Sequence, residues 1–71
     1  MALPVLGWRE VLKALTKKDF RPVRQRGSHI VVENASGRFV VVPRHDEIKK
    51  GTLSAIMEEA GLTREEFLAL L

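Results

Sequence analysis

The period of the apolar residues changes twice within 71 residues, and this double change restricts the fold more than any other feature of the chain. Trp8, Val11, Leu12 and Leu15 stand at i, i+3, i+4 and i+7, the spacing of one helical stripe, and predict a helix from about Gly7 to Lys18. From Phe20 the period falls to near two. Phe20 to Gln25, His29 to Glu33 and Arg38 to Val42 read as three strands, with Arg26-Gly27-Ser28 and Asn34-Ala35-Ser36-Gly37 as the reversals between them. Pro22 and Pro43 fall near strand ends, where a missing N–H is harmless. Helical spacing returns at Leu53, Ile56, Met57 and Ala60, with Thr52 as the expected N-cap and Gly61 as the left-handed stop. Thr63 and Glu66 then have the spacing of a capping box for a last short helix carrying Phe67 and Leu68.

The order α-β-β-β-α-α predicts an α+β fold: a three-stranded antiparallel meander with the one-sided helices gathered on one face. It is the order of the double-stranded-RNA-binding-domain fold. Residues 1–71 are expected to form one domain, because a chain this short buries only about 60% of the surface it exposes when unfolded and cannot support two cores.

Composition removes several function classes. With no cysteine there is no disulfide framework, thiolate metal site or cysteine nucleophile, and two histidines alone make a poor metal site, so neither metal nor cofactor is expected. No apolar run approaches the ~18 residues that span a bilayer, and the N-terminal residues lack a basic region followed by a long apolar one; the expected location is the cytoplasm. No P-loop, paired-carboxylate spacing or nucleophile elbow occurs. The net charge of +3 conceals a segregation: residues 1–50 carry eleven Lys and Arg against five Asp and Glu, whereas residues 51–71 carry one against four. A basic segment ahead of an acidic end suits a polyanion-binding surface on one side and a solvated or partner-facing helix on the other.

Strand parity predicts which side chains the uncovered sheet face presents. Glu33 is unsuited to burial, so His29, Val31 and Glu33 should face outward and Ile30 and Val32 inward. Taking Val23, Phe39 and Val41 as inward places Pro22, Arg24, Arg26, Arg38, Val40 and Val42 outward. The expected face is an apolar centre of Val31, Val40 and Val42 with Arg24, Arg26, Arg38 and His29 around it, and Trp8 is expected in the core.

His29 follows Arg26-Gly27-Ser28 on a reversal where a glycine lets a ligand approach the backbone. Guanidinium groups grip phosphate bidentately, and an imidazole with an ordinary pKa near 6.5 moves protons at neutral pH. Together they suit phosphodiester cleavage by a ribose 2′-OH, with His29 as proton carrier and Arg24 and Arg26 on the phosphate. His45, beside Asp46 and Glu47, is either a second proton carrier or a polar loop residue. Lys49 and Lys50 stand just ahead of the second helix, where cations and a helix N-terminus suit a phosphate.

The runs Val23-Arg24-Gln25-Arg26-Gly27-Ser28-His29, Ser36-Gly37-Arg38, Val42-Pro43-Arg44-His45, Ile48-Lys49-Lys50-Gly51-Thr52-Leu53 and Ala60-Gly61-Leu62-Thr63-Arg64-Glu65-Glu66-Phe67-Leu68 resemble the HicA-type toxins of bacterial toxin–antitoxin systems from about Gly7 onward. The resemblance implies a double-stranded-RNA-binding-like fold, endoribonuclease cleavage of mRNA and neutralisation by a HicB-type antitoxin that covers the active face of a monomeric toxin. It also implies that His29, in the Gly-Ser-His motif, is catalytic. The chain departs from many relatives in having Ile30 where they carry a second histidine or another polar residue, and Glu58-Glu59 where they carry Lys or Arg followed by Gln. The alternative reading is a non-catalytic double-stranded-RNA-binding module; a third is a protein-interaction domain using the apolar patch alone.

Overall fold

A computed structural model of the chain describes residues 3–71. Helix α1 (Trp8–Thr16) is followed by strands β1 (Arg21–Arg26), β2 (His29–Glu33) and β3 (Phe39–Pro43), then helices α2 (Lys50–Ala60) and α3 (Arg64–Leu68). The strands form one antiparallel sheet in the order β1-β2-β3. Element type and order follow the expected α+β arrangement, with bounds shifted by a residue or two.

Local chemistry accounts for the boundaries. α1 opens where the Gly7 amide donates to the Glu10 side chain at 2.9 Å. It ends in a turn with Asp19 at φ 66, a left-handed position that a short polar side chain tolerates. Gly61, at φ 73, stops α2 as expected, and Thr63 and Glu66 exchange the two bonds of the capping box at 3.0 and 2.8 Å. Thr52 is not the cap of α2. The helix begins earlier, with Lys49 extended at the cap position and its carbonyl accepting the Leu53 amide at 2.9 Å.

The core lies between the helices and one sheet face. Val11, Ala14 and Leu15 of α1, Leu53, Ile56, Met57 and Ala60 of α2, and Phe67 of α3 close over Ile30, Val32, Val40 and Val42. Leu6 and Ile48 join this core through a backbone bridge that ties the segment before α1 to the loop before α2.

The sheet corrects two parity assignments. Val40 and Val42 are fully buried, whereas Phe39 is 60% exposed and Val41 half-buried. In Phe39-Val40-Val41-Val42 both parities are apolar, so hydropathy alone cannot orient β3; pairing with β2 does. Glu33 opposes Phe39, Val32 opposes Val40 and Ile30 opposes Val42. On β1 the pairing skips Val23: Pro22 opposes Val32 and Arg24 opposes Val31. This bulge leaves Val23 57% exposed instead of inward and puts Pro22 opposite a core residue, while Arg24 and Arg26 keep their outward places.

Candidate functional site

The register sorts the open face of the sheet into three cross-strand rows. Arg26, His29 and Pro43 form the row at one end, Arg24, Val31 and Val41 the middle row, and Arg21, Glu33 and Phe39 the row at the other end. The apolar part of this face is therefore Val23, Val31, Val41 and Phe39, not Val31, Val40 and Val42. A shallow depression lined by Val23, Arg24, Val31, Glu33 and Phe39 runs across its far half.

Hydrogen bonding divides the arginines by use. Arg21 donates to the carbonyls of Thr16 and Phe20 at 3.2 and 3.3 Å, at the end of α1. Arg38, expected on the open face, turns instead to α2, where its guanidinium donates to the Glu59 carbonyl at 3.0 Å and lies against Gly61. Each of these two cations satisfies one carbonyl at a helix C-terminus, Thr16 of α1 and Glu59 of α2. The side chains of Arg24, Arg26 and the neighbouring His29 are exposed and, among the described residues, make no hydrogen bond or ion pair. Two unpaired guanidiniums and an imidazole thus line adjoining rows at one end of the face.

Gly27 and Ser28 form the reversal that joins Arg26 to His29. Gly27 has φ 55, and a Cβ built there would meet nothing within 4 Å, so the turn tip is open to solvent and the glycine answers a backbone requirement. The Ser28 carbonyl accepts the Arg44 amide at 2.6 Å, extending the β2–β3 pairing one residue past the strands. His45 follows in an exposed loop; its carbonyl accepts the Trp8 amide at 3.0 Å, which attaches the start of α1 to this end of the sheet.

Trp8 is half-buried at the margin of the core, not within it, and the guanidiniums of Arg9 and Arg44 lie 4.5 and 4.9 Å from its ring centroid. Sequence reasoning assigned neither arginine to the site. Counting the β2–β3 register outward from the Asn34 turn would have carried Arg44 opposite Ser28; nothing in the local sequence brings Trp8 to the same place. Lys49 and Lys50 are exposed at the start of α2, and among the described residues no hydrogen bond or ion pair connects them to the hairpin. Glu59, one of the two acidic departures, supports the sheet: its carboxylate accepts the Val41 amide at 3.4 Å, on the edge strand β3.

Among the described residues no group of three or more His, Cys, Asp or Glu gathers to hold a metal ion, and no helix is long and apolar enough to cross a membrane. The model of the family described as the HicA toxin of bacterial toxin-antitoxin systems matches residues 8–62. No curated protein matches the chain. The matched stretch runs from the first residue of α1 through the Gly27-Ser28-His29 hairpin to just beyond α2, and on it the chain belongs to the HicA toxin family.

Proposed function

We propose that this toxin is a metal-independent endoribonuclease that cleaves mRNA in the cytoplasm and is held inactive by a HicB-type antitoxin lying over the open sheet face. The observation that carries this reading is the end row of that face, where His29 pairs with Arg26, next to Arg24, with no partner among the described residues for any of the three side chains. Unpaired cations at an open turn attract a phosphodiester, and an exposed imidazole beside them can take a proton.

In the proposed reaction His29 removes the proton from a ribose 2′-OH. The 2′ oxygen attacks the adjacent phosphorus, the P–O5′ bond breaks as P–O2′ forms, and O5′ leaves with a proton. Arg24 and Arg26 stabilise the charge that builds on the non-bridging oxygens. Gly27 and Ser28 admit the strand to the turn. His45, two residues beyond the partner of His29 in the β2–β3 pairing, is the proposed proton source for O5′. Lys49 and Lys50 are proposed to meet phosphates farther along the RNA.

The test is RNA degradation by the purified chain in excess chelator. Loss of the imidazole in His29→Ala should lower the rate about 10²–10⁴-fold with an unchanged circular dichroism spectrum. Equal rates for the two proteins would overturn the assignment of His29. A second reading, RNA binding without cleavage, is favoured only by the exposed lysines at the start of α2; it predicts salt-sensitive binding to duplex RNA and no products over hours.

A further inference from the structure

The Trp8 cluster lies outside the row proposed to do the chemistry, and it holds two like charges against one ring. Arg9 comes from the first turn of α1 and Arg44 from the end of β3, 35 positions apart in the chain, yet both guanidiniums lie within 5 Å of one ring centroid. Among the described residues neither pairs with a carboxylate: the nearby Glu10 is engaged with the Gly7 amide. A ring face holds a guanidinium plane in place without neutralising it, so the pair retains its full charge toward solvent. Each guanidinium, held on the ring and uncompensated, presents its own planar set of donors to an external anion.

The position of the cluster indicates which anion. Arg44 is joined by its own amide to Ser28, the residue before His29, and Trp8 is joined by its amide to His45. The two arginines thus stand at the same end of the sheet as the hairpin, Arg44 on the segment bonded to it and Arg9 on the helix bonded to His45, the residue after Arg44. Arg44 opposes Ser28, which has the opposite parity to His29, so its side chain leaves the sheet on the helix side while His29 leaves on the open side.

We infer that Arg9 and Arg44, held over Trp8, form a second phosphate-binding site that grips the RNA backbone where it passes around the end of the sheet, next to the phosphate at the hairpin. This rests on the ribonuclease reading and adds to it a defined path: the strand lies on the open face at His29 and turns toward α1. Its role is binding and positioning, since neither guanidinium lies in the row that holds His29.

The test uses the whole chain and a 2′-O-methylated single-stranded RNA, which lacks the attacking hydroxyl and stays intact. Binding is measured over a series of salt concentrations. Arg44→Gln and Arg9→Gln should each weaken binding several-fold and reduce the slope of log K against log salt by roughly 0.7 for each phosphate no longer neutralised. Arg44→Lys should restore the slope but not the full affinity, because an ammonium retains the charge without the planar fork. Lys13→Gln, an exposed lysine of the same helix, should leave the slope unchanged. Trp8 is the only tryptophan, so its emission should change as RNA binds. Equal slopes for Arg44→Gln and wild type, with RNA still bound, would overturn the second site and leave the ribonuclease reading intact. Unchanged RNA binding with loss of antitoxin binding in Arg44→Gln would assign the pair to a protein interface and overturn it too. Absence of RNA binding by the wild type at low salt would overturn both.

Discussion

The Arg38 guanidinium lies 3.1 Å from the point where a Cβ on Gly61 would stand, and donates to the Glu59 carbonyl at 3.0 Å. One side chain from the start of the β3 hairpin arm thereby closes the C-terminus of α2, and the glycine that ends the helix also makes room for it. Arg38→Ala should lower stability by about 1 kcal/mol, less than a buried hydrogen bond to a charged group contributes, because the site is exposed. Gly61→Ala should cost roughly 1–2 kcal/mol, because it adds left-handed strain and displaces the arginine. Thermal melts measure both. Arg38→Ala should leave RNA affinity at a given salt concentration unchanged, which separates Arg38 from Arg24 and Arg26.

The orientation of the sheet is open to a direct comparison. Val40 is fully buried and Val23 is 57% exposed. Val40→Ser should destabilise by about 3 kcal/mol through weaker apolar packing and a buried hydroxyl, while Val23→Ser should change stability by less than about 0.5 kcal/mol. Urea denaturation of the two variants decides between this register and the opposite parity.

Gly7 approaches the loop after β3 closely: a Cβ there would stand 2.6 Å from the Asp46 carbonyl oxygen. The Glu10 carboxylate at 3.0 Å can swing aside but the Asp46 backbone cannot, so Gly7→Ala should cost about 2 kcal/mol. It should also alter Trp8 emission in the folded protein, because the next residue along, Trp8, is held by its amide against His45 in the same loop.

Acid sensitivity should trace in part to Glu66. Hydrogen bonds from the Thr63 backbone, then from its side chain, hold the Glu66 carboxyl below its ordinary value of 4.5 in the folded chain. A lowered folded value favours the folded state at pH above about 4.5, and this contribution disappears as pH falls through the lowered value. The stability difference between wild type and Glu66→Gln should therefore be largest near neutrality and shrink toward zero in strong acid, as followed by denaturant midpoints over a pH series.

The helices and turns of this protein are written locally. The stripe that buries Val11 and Leu15, the left-handed Gly61 and the Thr63–Glu66 box each depend on residues within a turn or two of one another, and all three are readable in the chain. Parity also places His29, Arg24 and Arg26 on the open face, because Glu33 breaks the symmetry of β2 and the bulge at Val23 lies before Arg24. β3 has no such polar marker. Its orientation comes from the five-residue connection 34–38, in which the Asn34 amide donates to the Arg38 carbonyl and so sets Glu33 opposite Phe39.

The sequence by itself determined the α+β order, the antiparallel meander and the Arg-Gly-Ser-His turn between its first two strands, because periodicity and turn chemistry act over a few residues. Only the tertiary structure decided how the cations are used. Which arginine caps a helix, which stands unpaired beside His29 and which rests on Trp8 depends on elements brought together from distant parts of the chain. Charge identifies the residues able to act; packing and hydrogen bonding determine which of them are left available.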